Sequence, residues 1–117
     1  MVHENAQRHL TPVRDHLESI KKIRVSQSYI SQKKGEPTAL INVDAEFIGA
    51  YLLDDKLIVM MKFDDTTVNP FHVDVAYDAI RKRTKTVLRT HFPTLLECEL
   101  GVHVVDCSGN LVDLDVD

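Results

Sequence analysis

Residues 69–92 carry the longest uninterrupted helical periodicity in the chain, and both limits of the run are marked. Asn69 is a favourable N-cap, and Pro70 suits the first helical position, where its missing N–H costs nothing. Val68 and Val73 stand at the positions of a hydrophobic staple across that start. Pro93 forbids continuation beyond Phe92. Between these marks Val73, Tyr77, Ile80, Thr84, Val87, Leu88 and His91 recur on one side, so the helix must lie on an apolar partner.

The flanking sequence supplies that partner as strands. Thr11-Pro12 predicts the start of a first helix with the stripe Val13, Leu17 and Ile20, which Ala6 and Leu10 extend if the helix begins earlier. Residues 1–10 then read as a loose arm or an added helical turn. Residues 25–33, rich in Ser and Gln with Tyr29 and Ile30, suit an edge strand. Lys34-Gly35-Glu36-Pro37 is a turn. Residues 38–47 alternate, with Ala39, Ile41, Val43, Ala45 and Phe47 on one face.

Residues 51–63 predict a hairpin around Asp54-Asp55, pairing Leu53 with Lys56 and Ala50 with Val59. Continued without interruption, that register mismatches the apolar faces. One extra residue at or next to Gly49 restores it and sets Phe47 opposite Met61, so a β-bulge is predicted there. Leu57 to Met61 is apolar on both faces and reads as a central strand.

Residues 95–106 alternate again, with Leu96, Cys98, Leu100, Val102 and Val104 inward, and Val112, Leu114 and Val116 repeat the pattern. A three-residue loop, Cys107-Ser108-Gly109, joins these strands with Gly109 left-handed. The expected fold is α+β: one two-layer domain over residues 1–117 in the order α-β-β-β-α-β-β, an antiparallel sheet with helices packed on one face.

At 117 residues, 44% of them apolar and 27% charged, the chain suits one globular domain. A net charge of −4 argues against a dedicated nucleic-acid binder. No apolar run is long enough to span a bilayer, and the N-terminus has no signal-peptide core. Two cysteines without CxxC spacing read as free thiols. Together these predict a cytoplasmic protein with no membrane association.

Motifs of chemistry are sparse. Arg81, Lys82, Lys85 and Arg89, with Arg83 on their flank, form a basic side of the long helix. That side is a patch for an acidic partner or, more plainly, a solvated face with Asp78 paired to Lys82. The C-terminal hairpin collects Glu97, Glu99, Asp115 and Asp117 on one face and sets His103 opposite Asp113. Such a face could hold a hard cation or receive a basic partner, or is the common composition of an outward sheet face, and the aspartate would raise the histidine's pKa. His9 and His16, two turns apart, stand too far from each other to share a metal ion. Cys98 and His103 differ in strand parity and form no dyad. No GxSxG elbow, phosphate loop or GxGxxG fingerprint is present. No catalytic, metal or cofactor residues are assigned.

Residues 62–105, with a helix ending at Phe92-Pro93 and the run Leu100-Gly101-Val102-His103-Val104, resemble segments of two families. These are the alkaline-shock protein family of Gram-positive bacteria and the cytoplasmic dimerisation domain of cation-efflux transporters. No residue role is carried over from either.

The favoured reading is a non-enzymatic binding or assembly protein. It forms a homo-oligomer, a dimer or larger, through a sheet edge or through complementary charged faces, and a different protein partner would use the same surfaces. The edges expected to serve are residues 25–33 and 112–116. The charged faces comprise Arg81, Lys82, Lys85 and Arg89 against Glu97, Glu99, His103, Asp113 and Asp115. A second reading is a small-ligand protein or enzyme with a pocket between sheet and helices lined by Tyr29, Tyr51, Tyr77 and His91. The third is weak nucleic-acid binding through the basic helix side.

Overall fold

The order α-β-β-β-α-β-β is the one observed in a computed structural model of the protein. The structure describes residues 2–29, 39–54, 56–68, 72–97 and 99–113. Helix α1 (Val2–Ile20) leads into strands β1 (Lys22–Tyr29), β2 (Ala39–Leu53) and β3 (Lys56–Lys62). Helix α2 (Val73–His91) follows, then strands β4 (Glu99–Val105) and β5 (Leu111–Asp113). Short 3-10 turns occupy Asp65–Thr67 and Pro93–Glu97. Asn69, Pro70, Cys98 and the predicted turn at 34–37 lie outside the described residues, as do Leu114 to Asp117.

The sheet runs β1-β2-β3-β4-β5, with β3 at its centre as expected. Its polarity departs from expectation at one place. β3 and β4 are parallel, Lys56 opposite Glu99 and Lys62 opposite Val105, so the sheet is mixed. The cause is α2: nineteen helical residues span about 28 Å, enough to carry the chain back past the whole of β3 before β4 begins. Apolar alternation is blind to strand direction, and only the length of the crossover carries it.

Both helices cover one face. Val13 and Leu17 of α1 and Ala76, Ala79, Ile80 and Leu88 of α2 join the inward residues of β1 to β4 in a single core. The buried side of α2 is centred on Ala76 and Ala79, small residues that admit the sheet closely, while His91 of the expected stripe is exposed. His72 takes the N-cap position without a side-chain capping bond. Thr84 is fully buried, and its hydroxyl has no hydrogen-bond partner among the described residues. Thr84→Val keeps the shape and removes that stranded group. It is expected to raise stability by about 1 kcal/mol, seen as a higher urea midpoint at unchanged m-value.

One open expectation is decided and three are corrected. The first helix starts well before Thr11 and encloses Pro12. Pro12 and Arg8 are both exposed, so the bond that proline cannot make is missing on the solvent side of the helix rather than in the core. The helix ends where Lys21 turns left-handed at φ 64°, its N–H donating to the Leu17 carbonyl at 2.7 Å. β1 therefore begins at Lys22 rather than at Val25.

Residues 95–97 are not strand. Leu95 sits fully buried in the 3-10 turn that follows Pro93, and alternation resumes only at Glu99. Lastly, β5 slips. Val105 faces Leu111 but Val104 faces Asp113, so His103 does not stand opposite Asp113. The loop itself is as expected, with Gly109 at φ +86° and its N–H donating to the Asp106 carbonyl at 3.0 Å. The Asp106 carboxylate accepts the N–H groups of Ser108 and Asn110, each at 2.9 Å.

Candidate functional site

Strand β2 is the longest, fifteen residues against eight in β1 and seven in β3. Its two neighbours therefore share it. β1 pairs with residues 39–46 and β3 with residues 46–53, on opposite edges. The last contact on the β1 side is the Phe47 N–H donating to the Lys21 carbonyl at 2.8 Å. Beyond it, no described strand pairs with the outer edge of residues 48–53.

The backbone of this half-strand is set by its two ends. At one end Leu53 pairs with Lys56 across a two-residue turn in which Asp54 is left-handed at φ 53°. The closing pair of such a turn is hydrogen-bonded, so Tyr51 also bonds toward β3 while Ala50 and Leu52 turn their N–H and C=O outward. At the other end the register shifts between Phe47 and Gly49, and Ile48 is the inserted residue of the expected bulge. Gly49 has no positive φ, and a Cβ there would meet nothing within 4 Å. The bulge does not require glycine; the space beside it is simply open.

Apolar surface gathers at this edge. Five large hydrophobic side chains are exposed among the described residues: Ile20 (40%), Ile48 (45%), Tyr51 (38%), Leu53 (53%) and Leu111 (48%). Four of them flank the unpaired edge, Ile20 as the residue before Lys21. By contrast, β1, the terminal strand of the sheet, exposes Lys22, Arg24 and Ser26, and its Arg24–Asp44 pair at 3.1 Å is solvated. Charged side chains at a sheet margin discourage pairing with another chain, whereas apolar ones invite it. No single residue type betrays the β2 edge in the sequence. The usable signal was the excess length of one strand over its neighbours.

The residues singled out from the sequence are dispersed. On α2, the Asp78 carboxylate accepts from Arg81 at 2.6 Å and pairs with Lys82 at 2.8 Å, while Lys85 and Arg89 lie half-buried further along. Glu97 belongs to the 3-10 turn, Glu99 is exposed at the start of β4, and Asp113 lies on β5. Asp115 lies outside the described residues. His103 is buried on the sheet face away from the helices, where the Ile58 and Lys56 side chains lie across neighbouring Gly101. The supposed pocket residues do not converge. Tyr51 is on that same far face, Tyr77 meets Phe63 edge-on at 5.6 Å, Tyr29 ends β1 and His91 ends α2.

One contact unforeseen in the sequence joins the helices. The His16 and His91 rings stack with centroids 3.9 Å apart, and Phe92 packs edge-on against both. His16 and His91, with Arg83, Thr86, Val87 and Thr90, line an open groove of about 300 Å³. Desolvation, and then the neighbouring His91, hold the His16 pKa below the usual histidine range. His16 therefore binds its proton less readily in the folded protein than in the unfolded chain. Its contribution to stability is complete above the ordinary histidine pKa and is lost as pH falls through the lowered one. The melting temperature is expected to drop between about pH 7.5 and about pH 5.5, across the histidine range. His16→Phe, which keeps a ring on His91 but cannot titrate, is expected to shrink that drop.

A second cluster lies at the far end of β3. Ligand atoms of Asp64, Asp65 and Cys107 fall within 4.8 Å of one another. Their engagements are internal. Asp64 caps the 3-10 turn by accepting the Thr66 N–H at 3.0 Å. Hydrogen bonds from Cys107 lower the Asp65 pKa, and that carboxylate in turn raises the thiol's. A thiol held protonated is a poor ligand and a poor nucleophile.

Among the described residues no helix is long and apolar enough to cross a membrane. No protein-family model, curated protein or solved structure matches the chain, so the two family resemblances drawn from residues 62–105 find no support there.

Proposed function

We propose that this protein is a non-enzymatic binding or assembly protein that self-associates through an exposed sheet edge. The observation that carries the reading is the coincidence, on the second half of β2, of an edge with no strand partner among the described residues and three of the five large hydrophobic side chains exposed among them. Unsatisfied N–H and C=O groups template a further strand, and adjacent apolar side chains give the added strand something to bury.

Association through complementary charged faces has less behind it. Asp78 already engages Arg81 and Lys82, and Glu97, Glu99 and Asp113 stand on three separate elements. The test is molar mass by size exclusion with light scattering, at about 50 mM and about 500 mM salt, a range over which screening changes strongly. Edge pairing predicts a mass above the monomer at both salts. A monomer at both, at high protein concentration, would reject the reading. An oligomer lost at high salt would transfer the interface to charged surfaces.

A second reading rests on the groove beside His16 and His91, whose histidines, threonines and Arg83 present donors suited to a small anionic ligand. Its volume is at the low end for a ligand pocket. A thermal-shift panel of phosphates and carboxylates tests it, because a ligand that binds the native state raises the melting temperature.

A further inference from the structure

We infer that two copies of this chain pair antiparallel along the second half of β2, about a two-fold axis through Tyr51, continuing the sheet from one protomer into the other. The inference rests on the self-association reading above and adds the strand, the partner and the register.

The register follows from parity. In an antiparallel pair, directly opposed residues point to the same face, and hydrogen-bonding positions oppose one another. Ala50 and Leu52 carry the outward N–H and C=O groups. A two-fold pairing that uses both sets Ala50 opposite Leu52 of the second copy and Leu52 opposite its Ala50, giving four backbone bonds. Tyr51 then faces its own copy as a non-hydrogen-bonded pair. Two-fold registers centred on Ala50 or on Leu52 use only one of these positions.

The side chains fit that register. Gly49 falls opposite the second copy's Leu53 on the outer face, so the exposed leucine meets the open space beside the glycine. The two tyrosines meet on the axis. Charge also complements at both ends. The unpaired edge is bounded by exposed Lys21 and Lys22 on one side and by exposed Asp54 at the hairpin tip on the other. Antiparallel pairing brings each Asp54 toward the lysines of the other copy, whereas parallel pairing would set like charges together. Opposite charges at the two ends of a self-pairing strand favour the antiparallel arrangement and steer the encounter.

The test is disulfide trapping in the full chain with Cys98→Ser and Cys107→Ser. Tyr51→Cys places a thiol on the axis, where a non-hydrogen-bonded antiparallel pair has its Cα atoms about 4.5 Å apart, within disulfide reach. Leu53→Cys is the control, because in this register its thiol lies some four residues from its copy. Mild oxidation is expected to yield covalent dimer with Tyr51→Cys and little with Leu53→Cys. A dimer by light scattering that fails to cross-link at Tyr51→Cys would overturn this pairing and leave self-association standing. A monomer by mass would overturn both.

Ala50→Pro supplies an independent readout. It removes an N–H that the monomer does not use, so helix and sheet content by circular dichroism should persist. The dimer dissociation constant should rise about tenfold or more, since both symmetry-related bonds are lost. Unchanged affinity in a folded Ala50→Pro variant would overturn the inference.

Discussion

Phe63→Ala is expected to lower the free energy of unfolding by about 3–5 kcal/mol, the range for deleting a buried aromatic side chain. Phe63 is the largest of the fully buried side chains among the described residues, with 1% of its surface exposed. Its ring meets Tyr77 of α2 edge-on at 5.6 Å, and its N–H donates to the Val105 carbonyl at 3.0 Å. It thus stands where the end of β3, the end of β4 and the first turns of α2 come together. Alanine would keep the backbone bond and leave a cavity that three elements cannot all close around. With domain stabilities of about 5–15 kcal/mol, the variant would retain little margin. Urea unfolding followed by circular dichroism measures the loss. A change under about 1 kcal/mol would mean that the site collapses freely and that α2 is not held there.

Leu17→Ala is the second large effect, expected at about 2–5 kcal/mol. Leu17 and Val13 are the fully buried anchors of α1 on the sheet. Two further contacts hold α1: the His16 ring stacks on His91, and the His9 ring and the Thr94 hydroxyl share a hydrogen bond that ties the earlier part of α1 to the 3-10 turn after α2. Because α1 enters β1 through the left-handed Lys21, loosening the helix also loosens the end of the edge at Phe47. Amide hydrogen exchange is the discriminating measurement. Protection in α1 should fall further than protection in β3, which lies at the centre of the sheet. Equal loss everywhere would show that α1 and the sheet open as one unit.

How far the sequence could be read depended on the range of the interaction. The bulge beside Gly49 and the pairing of Phe47 with Met61 were legible because a hairpin is local. Its register must reconcile two apolar faces across a turn only two residues long. Gly109 in the left-handed position was legible for the same reason. The Pro93 stop for α2 was legible too, since proline acts on its immediate neighbours. The first helix, whose start the sequence left open between Thr11-Pro12 and an earlier position, shows the limit of this approach. A proline suited to a first turn also sits on the solvent side of a longer helix, where the missing bond is not buried.

The candidate site was hardly legible. His16 and His91 are 75 positions apart and meet only because α1 and α2 share one face of the sheet. The direction of β4 depended on how far α2 carries the chain, and the slip at Val104 removed the histidine–aspartate neighbours that a regular hairpin predicts. The exposed edge of β2 arose from a difference in length among three strands.

The sequence by itself determined the order of the helices and strands and which face of β2, β3 and β4 is apolar toward the core, because hydrophobic periodicity is a property of neighbouring positions. Only the tertiary structure decided strand polarity, which histidines touch and which strand edge lacks a partner among the described residues. Those depend on the relative lengths and placement of elements that no local pattern records.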